Sequence, residues 1–206
     1  MEYNPYKREI ILKGKVLNEL DKFVIDFVNI LEKFVGYVIV SGYVSILLGR
    51  SRASEDVDFL IQDMTFSKFE MMFKELASQR FECLNTNQIK EAYEMLDEHA
   101  IRFSRETPIP NIEFKKITSK IQEDAFNNKL SVKFNGKSLF ISPLELQIAY
   151  KLSLMSKGSF EEISSDKDFE DAKHLYEVFN EKLNKEKLLE YIKLFKVENR
   201  FELLKK

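Results

Sequence analysis

Two aspartates, Asp56 and Asp58, lie at the start of the apolar run VDFLI (57–61). In a β-strand, side chains two residues apart point to the same face, so this spacing would place both carboxylates together. Two such carboxylates repel each other unless a cation lies between them. A hard divalent ion such as Mg²⁺, which takes carboxylate, phosphate and water oxygens, would supply that charge. The pair therefore predicts a metal–nucleotide site; the alternative is two solvated residues at the end of a loop.

A small-residue turn precedes the aspartates. Ser41-Gly42 separates the apolar run YVIV (37–40) from VSILLG (44–49). A turn between a strand and a short helix offers backbone N–H groups to a phosphate, and glycine permits a close approach. Arg50 and Arg52 follow, where a guanidinium could pair with triphosphate oxygens or with a second substrate. Both arginines could equally decorate a surface loop.

The order of apolar strand, small-residue turn, short helix and R-x-[S/T]-x-D-x-D resembles the DNA polymerase beta-type nucleotidyltransferase superfamily. Arg52, Ser54, Asp56 and Asp58 match that pattern. Within the superfamily, the chain is most similar to the minimal and AbiEii-like nucleotidyltransferases of prokaryotic defence and toxin–antitoxin systems. The resemblance implies transfer of a nucleoside monophosphate from an NTP with Mg²⁺. The residues that it places around the nucleotide are Ser41, Gly42, Tyr43, Arg50, Arg52 and Ser54.

A second motif lies in the C-terminal part of the chain. KDFEDA (167–172) resembles the family's K-D-x-x-D-A element, and Lys151 precedes it in ELQIAYKLSL. The resemblance implies catalytic roles for Lys151 and Asp168 and a nucleotide contact for Lys167. From the residues alone, Lys151 could instead extend its aliphatic stem along a helix surface. Lys167, Asp168 and Asp171 could equally form the charged first turn of a helix.

A third acidic residue on a later strand usually completes the superfamily's metal site, and Glu113 in NIEFKKI (111–117) is the candidate. The resemblance implies that Glu113 joins Asp56 and Asp58 as a metal ligand and helps to activate the acceptor hydroxyl. The alternative is a half-exposed strand residue paired with Lys115 or Lys133.

The sequence departs from the family pattern at two positions. Gly42 is followed by Tyr43 rather than by Gly or Ser, which predicts that a bulky side chain crowds the triphosphate. Glu113 replaces an aspartate and lengthens that arm by one methylene.

The elements that position these residues follow from apolar spacing and turn signals. The predicted elements are a helix over 13–34 ended by Gly36, strands over 37–40 and 57–61, a short helix over 44–49, a helix over 66–80, a loop at Pro108 and Pro110, a strand over 111–117, a hairpin over 130–142 with a type I′ turn at Asn135-Gly136, and three helices from Ser142 onward, with Ser142 as N-cap and Pro143 as the first helical residue. We expect an α/β (α+β) fold in which a small mixed sheet carries a C-terminal helical bundle. The predicted parts are a nucleotidyltransferase core over 1–141 and a helical subdomain over 142–206.

The bulk composition restricts the partners. With 32 Lys and Arg against 34 Asp and Glu, the 206-residue chain lacks the excess of positive charge of a dedicated nucleic-acid binder. The single Cys83 excludes an internal disulfide. Because His99 and His174 are the only histidines, we expect no structural zinc site. No stretch approaches the roughly 18 apolar residues of a membrane span. We therefore expect a cytoplasmic protein without a membrane partner.

The acceptor stays open at this point. The resemblance implies either a hydroxyl of a partner protein, such as a cognate toxin or antitoxin, or the 3′ end of an RNA such as tRNA. The near-neutral charge favours protein, whereas a patch of Lys115, Lys116 and Lys120 would favour RNA. The alternative function is a non-catalytic protein that keeps the fold and acts through a partner surface, for which Tyr43 is the best support.

Overall fold

The computed structural model of the chain describes residues 1–156 and 166–205. The strands are β1 (Glu2–Asn4), β2 (Glu9–Ile11), β3 (Tyr37–Val40), β4 (Asp56–Ile61), β5 (Phe81–Cys83), β6 (Ile101–Arg105), β7 (Thr107–Lys116), β8 (Leu130–Phe134) and β9 (Lys137–Ile141). The helices of the described residues are α1 (Glu19–Leu31), α2 (Gly42–Leu47), α3 (Phe66–Ser78), α4 (Ile89–Met95), α5 (Lys120–Asn127), α6 (Leu144–Leu154), α7 (Lys167–Phe179), α8 (Lys185–Phe195) and α9 (Glu198–Leu204).

The nine strands of the described residues form one mixed sheet in the order β1-β2-β8-β9-β3-β4-β7-β6-β5. The sheet is thus larger than the small one that the sequence predicts. Its centre confirms the predicted strands: β4 pairs antiparallel with β3 and parallel with β7. The β4–β7 register sets Asp56 opposite Asn111 and Asp58 opposite Glu113.

The two faces of β4 have different neighbours. Phe59 points to one face, where its ring lies 5.5 Å from that of Phe27 in α1. Phe27 also contacts Phe114 of β7, at 6.2 Å between ring centroids, so α1 covers this side of the sheet. Asp56, Asp58 and Leu60 point to the opposite face. The aromatic core therefore lies behind the strand that carries the aspartates.

The first helix begins later than the predicted position 13. The side chain of Asn18 accepts a hydrogen bond from the Asp21 N–H at 2.7 Å, and the Asp21 carboxylate accepts one from the Asn18 N–H at 3.1 Å. This reciprocal capping box fixes the start of α1 at Glu19. Val16 lies outside the helix and is 89% exposed.

The segment at Pro108 and Pro110 is not the predicted loop but the first half of β7. The register of β6 and β7 shifts between Ser104 and Arg105, so this part of the ladder is irregular. Proline is tolerated in such a stretch because its missing N–H interrupts no regular ladder.

The predicted hairpin is confirmed: β8 and β9 pair antiparallel, and Asn135 (φ 47°) and Gly136 (φ 72°) both have the positive φ of a type I′ turn. The predicted start of the next helix, with Ser142 as N-cap and Pro143 as the first helical residue, is one position too early, because α6 begins at Leu144. Ser142 caps nothing, since its hydroxyl donates to Gln147 Oε1 at 2.8 Å and Pro143 is the N-cap of α6.

The C-terminal part of the described chain contains four helices instead of three. The last predicted helix is divided because Lys196 adopts φ 57° and ends α8. No helix among residues 1–156 and 166–205 is long and apolar enough to cross a membrane.

Candidate active site

The acidic pair lies at the start of β4, on the face away from α1. Asp56 is exposed, whereas the Asp58 side chain is 19% exposed. Burial raises the pKa of Asp58, Lys115 acts in the opposite direction, and the neighbouring Asp56 and Glu113 raise it further. A half-buried carboxylate repelled by two others is an environment that favours a bound cation.

Glu113 lies beside Asp58 on the adjacent strand and is held by two cations. Lys115 Nζ lies 3.4 Å from Glu113 Oε1 and 3.8 Å from Asp58 Oδ1. Arg102 Nη2 lies 3.2 Å from Glu113 Oε2. The pairing with Lys115 is therefore present, whereas Lys133 pairs with Glu9. The role of Glu113 as a metal ligand stays a prediction.

The donor set suits a metal that arrives with a nucleotide. Within the described ranges, no group of three or more His, Cys, Asp or Glu side chains is arranged to hold a metal ion. Mg²⁺ is commonly bound by one or two carboxylates, with phosphate oxygens and water as its other ligands. Asp56 and Asp58 match this pattern of Mg²⁺ ligands. Glu113 would have to exchange its lysine and arginine partners for a metal.

The turn between β3 and α2 is built around Ser41 and Gly42. Ser41 adopts φ 64° and ψ −140°, a conformation that residues with a side chain rarely adopt. A Cβ on Gly42 would lie 2.3 Å from Arg52 Nη2, so a side chain at this position would have to displace the Arg52 guanidinium. Ser41 lies beside Asp58 along one cleft and acts to lower the pKa of the Asp58 carboxyl, so the turn adjoins the acidic pair.

Tyr43 does not occupy this turn. Its side chain is fully buried, and its hydroxyl donates to Asp21 Oδ1 at 2.8 Å. The prediction that Tyr43 crowds a triphosphate is wrong, because the ring points into the core. A nucleotide could meet this residue only through its backbone. Ser54 has a local role, since its hydroxyl donates to the backbone carbonyl of Asp56 at 2.9 Å.

The second motif forms a buried ion-pair network with the two arginines, which we call the Asp171 network. Arg52 binds Asp171 through two nitrogens, Nε to Oδ1 at 3.0 Å and Nη2 to Oδ2 at 2.8 Å. Arg50 donates to the same carboxylate. Lys151 Nζ lies 2.6 Å from Asp168 Oδ1 and 2.9 Å from Asp171 Oδ2. Three cations therefore share two carboxylates, which leaves one positive charge next to the turn.

Asp171 is the functional candidate that sequence reasoning omitted from the site. Its side chain is fully buried and connects the loop before β4 to helix α7. The signal was present in KDFEDA, because Asp168 and Asp171 are three residues apart and so share one face of a helix. Lys167, in contrast, is exposed, and only its backbone carbonyl takes part, accepting from Arg50 Nη1 at 2.8 Å.

A cleft of about 140 Å³ opens beside Asp58, between the sheet and the helices α5, α6 and α8. Its walls include Ser41, Lys115, Leu146, Tyr150 and Phe195. Burial raises the pKa of Tyr150, as does Asp58; Lys115 and Lys151 act in the opposite direction. Tyr150 thus lies within electrostatic range of both the acidic pair and the Asp171 network, a position that no local sequence pattern indicates.

A larger groove of 490 Å³ lies elsewhere, between α1 and α3. Its walls carry charges that are already paired, including Lys33 with Glu75 and Arg105 with Asp26. It contains no counterpart of the acidic pair, so the cleft at Asp58 is the better candidate site.

No protein-family model matches the chain, and no curated protein matches its sequence. Solved structures do match its fold. One is an antigenic nucleotidyltransferase-like protein from Paracoccidioides brasiliensis, with 15% identity, coverage of 89% of each chain and a TM-score of 0.54. A solution structure of the antibiotic-resistance factor ANT(2″)-Ia matches with 12% identity over 90% of this chain and 96% of that one, at a TM-score of 0.53.

A crystal structure of ANT(2″)-Ia in complex with adenylyl-2″-tobramycin matches with 12% identity over 86% of this chain and 95% of that chain, at a TM-score of 0.54. These similarities show that the chain has a nucleotidyltransferase-like fold. The finer likeness to AbiEii-like proteins rests on the sequence motifs alone.

Proposed function

We propose that this protein is a nucleotidyltransferase that moves a nucleoside monophosphate from an NTP to an acceptor hydroxyl. The observation that carries the proposal is the placement of Asp56 and Asp58 on one face of β4, beside Ser41 and its glycine turn, in a nucleotidyltransferase-like fold. Asp56 and Asp58 would hold Mg²⁺, which when bound neutralises phosphate charge and polarises the phosphoryl group.

The proposed reaction is an in-line displacement at the α-phosphorus. The acceptor oxygen forms a bond to that phosphorus while the bond from phosphorus to the α,β-bridging oxygen breaks. Pyrophosphate leaves with that electron pair, and the proton of the acceptor hydroxyl passes to a base. Glu113 is our candidate base, since Arg102 and Lys115 hold its carboxylate beside Asp58.

The Asp171 network supports binding of an anionic substrate. The Arg52 guanidinium of this network lies against Gly42, next to the turn where a triphosphate would bind. Lys151 and Asp168, which the family resemblance marks as catalytic, are bound to each other near Tyr150 of the cleft. We propose that they form the rim of the site and hold the arginines in place.

The charges around the site favour a protein hydroxyl over RNA as the acceptor. Lys115 is paired with Asp58 and Glu113, and Lys116 with Asp97 at 2.6 Å. Only Lys120 of the three-lysine patch is exposed, which weakens the case for phosphate contacts. The resemblance to AbiEii-like proteins makes a toxin or antitoxin protein one acceptor to test. Because ANT(2″)-Ia is solved with adenylyl-2″-tobramycin, a small-molecule hydroxyl is another.

A non-catalytic role is the second candidate. It no longer has the support of Tyr43, whose side chain is buried away from the turn. What favours it is that Arg50, Arg52 and Glu113 are all engaged with protein groups. On this alternative the protein would act through a partner surface and bind a nucleotide weakly or not at all.

Calorimetry with each of the four NTPs separates these candidates. We expect saturable, Mg²⁺-dependent binding by the wild-type chain and its loss in Asp56→Asn/Asp58→Asn, because both carboxylates are then neutral. The control is Glu177→Gln/Glu181→Gln, which removes the same charge at two exposed positions. Absence of binding to the folded wild-type chain would favour the non-catalytic role. If binding occurs, labelled NTP with candidate proteins, tRNA and aminoglycosides tests the acceptor.

A further inference from the structure

One buried side chain from helix α6 bonds to both backbone polar groups of Ser41. The carboxamide of Gln147 donates from Nε2 to the Ser41 carbonyl at 2.6 Å. The Ser41 N–H in turn donates to Gln147 Oε1 at 3.2 Å. Gln147 is 1% exposed, so these bonds compete with little water. Both backbone polar groups of Ser41 thereby bind one amide, and the carbonyl also accepts from the Val44 N–H at 3.3 Å.

The amide is itself fixed in orientation. The Ser41 N–H can only donate and the Ser41 carbonyl can only accept, which identifies Oε1 of Gln147 as the acceptor and Nε2 as the donor; Ser142 Oγ then donates to the same Oε1 at 2.8 Å. Ser142 is anchored to the sheet, because its N–H donates to the carbonyl of Ile39 at 2.9 Å. Ile39 and Ile141 pair β3 with β9. Just beyond that pair, the Gln147 side chain supplies the hydrogen bonds to the backbone that follows β3.

The backbone of Ser41 needs this support. Its φ of 64° with ψ of −140° lies in a region that glycine occupies freely and other residues rarely enter. Such a conformation persists only where surrounding contacts impose it. The same residue lines the cleft beside Asp58, so its backbone angles decide how its hydroxyl faces that carboxylate.

We propose that Gln147 is a positioning residue: its carboxamide holds Ser41 in a conformation that the free chain avoids, and so sets both the glycine turn and the Ser41–Asp58 contact for the nucleotide. This proposal rests on the proposed nucleotidyltransferase function. It assigns to the helical half of the chain a direct part in shaping the turn. Gln147 itself touches no reacting atom.

Substitution of Ser41 by glycine separates this role from simple core packing. Gln147→Leu keeps most of the side-chain volume but neither donates nor accepts. Ser41→Gly permits the same backbone angles without strain. We expect Gln147→Leu to weaken Mg²⁺–NTP binding at least tenfold in the wild-type background and less than threefold in the Ser41→Gly background. A packing role would give the same loss in both backgrounds and would overturn the proposal.

A second readout does not depend on nucleotide. If Gln147 imposes the Ser41 conformation, Gln147→Leu should lower the folding equilibrium constant in urea at least tenfold more in the wild-type background than in Ser41→Gly. Equal losses would contradict the positioning role even if no NTP binds. Conversely, a strong coupling without NTP binding would retain the positioning of Ser41 and reject the nucleotide function, so the two failures are distinguishable.

Discussion

At the scale of single residues, the reason for a glycine at position 42 differs from the one that the sequence suggests. The sequence suggests that glycine admits a phosphate. In the structure, Gly42 makes room for Arg52, because the guanidinium occupies the space that a Cβ would take. Arg52 cannot withdraw freely, since Asp171 binds it through two nitrogens. The turn and the ion pair therefore depend on each other.

Gly42→Ala should consequently destabilise the protein. A new Cβ would lie 2.3 Å from Arg52 Nη2 and 3.3 Å from its Cζ. Overpacking of this kind costs about 1–3 kcal/mol, although Ala normally stabilises a helix relative to Gly by roughly 0.5–1 kcal/mol. Urea denaturation measures the difference in the free energy of unfolding.

The matched control repeats Gly42→Ala in an Arg52→Ala background, where the obstructing guanidinium is absent. There the substitution should be neutral or stabilising, and the double-mutant cycle should show clear coupling between the two positions. An equal cost in both backgrounds would mean that something other than Arg52 excludes a side chain at Gly42.

At the scale of secondary-structure elements, the Asp171 network attaches α7 to the loop that leads into β4. Its three cations lie around a carboxylate with no solvent exposure. Removal of one partner from a buried ion pair is costly because it leaves the other charges uncompensated. The network thus links the second sequence motif to the first.

Asp171→Asn should destabilise the protein by roughly 3–5 kcal/mol, because the side-chain shape is kept while the charge is lost. Asp26→Asn is the control, since Asp26 is 49% exposed and pairs with Arg105 at 2.8 Å on the surface. A surface pair of this type contributes only about 0–1 kcal/mol. Comparable losses in the two variants, measured by urea denaturation at pH 7, would show that the network adds little.

The pH dependence supplies a second test of Asp171. Burial alone would raise the pKa of its carboxyl, but Arg52, Lys151 and Arg50 outweigh burial and lower the pKa below the ordinary value of 3.8. A lowered pKa in the folded state means that the stabilisation is complete well above 3.8 and is lost as the pH falls through the folded value. The difference in stability between wild type and Asp171→Asn should therefore shrink as the pH falls below about 3.8, whereas a constant difference would contradict the ion-pair explanation.

Some of the secondary-structure elements could be predicted from the sequence, and others could not. The strands that carry the site were predictable because YVIV and VDFLI are uninterrupted apolar runs, and the hairpin because Asn-Gly specifies a type I′ turn. Strand β2 is three residues long and exists through its pairing with β8, far along the chain. No local pattern encodes that contact.

The candidate site divides in the same way. The two-residue spacing of Asp56 and Asp58 predicts that both carboxylates lie on one face of the strand. In the structure, the register of β4 with β7 sets Glu113 beside Asp58. The partners Arg102 and Gln147 could not be foreseen, because each arrives through tertiary packing from another element.

At the scale of the whole molecule, the helical half and the sheet depend on each other. Contacts that cross the predicted boundary at residue 142 include Gln147 with Ser41, Tyr191 with Asp124, and Asp171 with Arg50. The cleft beside Asp58 has walls from both halves. The division into 1–141 and 142–206 stays a prediction, and because of these contacts we expect the chain to unfold as one unit.

A fragment of residues 1–141 should for this reason lack a cooperative unfolding transition. Without the helices it would expose the apolar side chains of Val40, Leu60 and Ala125 that line the cleft, and Ser41 would lose the amide that holds its backbone. In the full chain, far-UV circular dichroism and tyrosine fluorescence should report one coincident thermal transition. Mixing the fragment with a separately expressed 142–206 chain should restore that transition if the two halves stabilise each other. A fragment that unfolds cooperatively at the temperature of the full chain would instead make 1–141 an autonomous domain, and the control of the turn by Gln147 would then be a contact between domains.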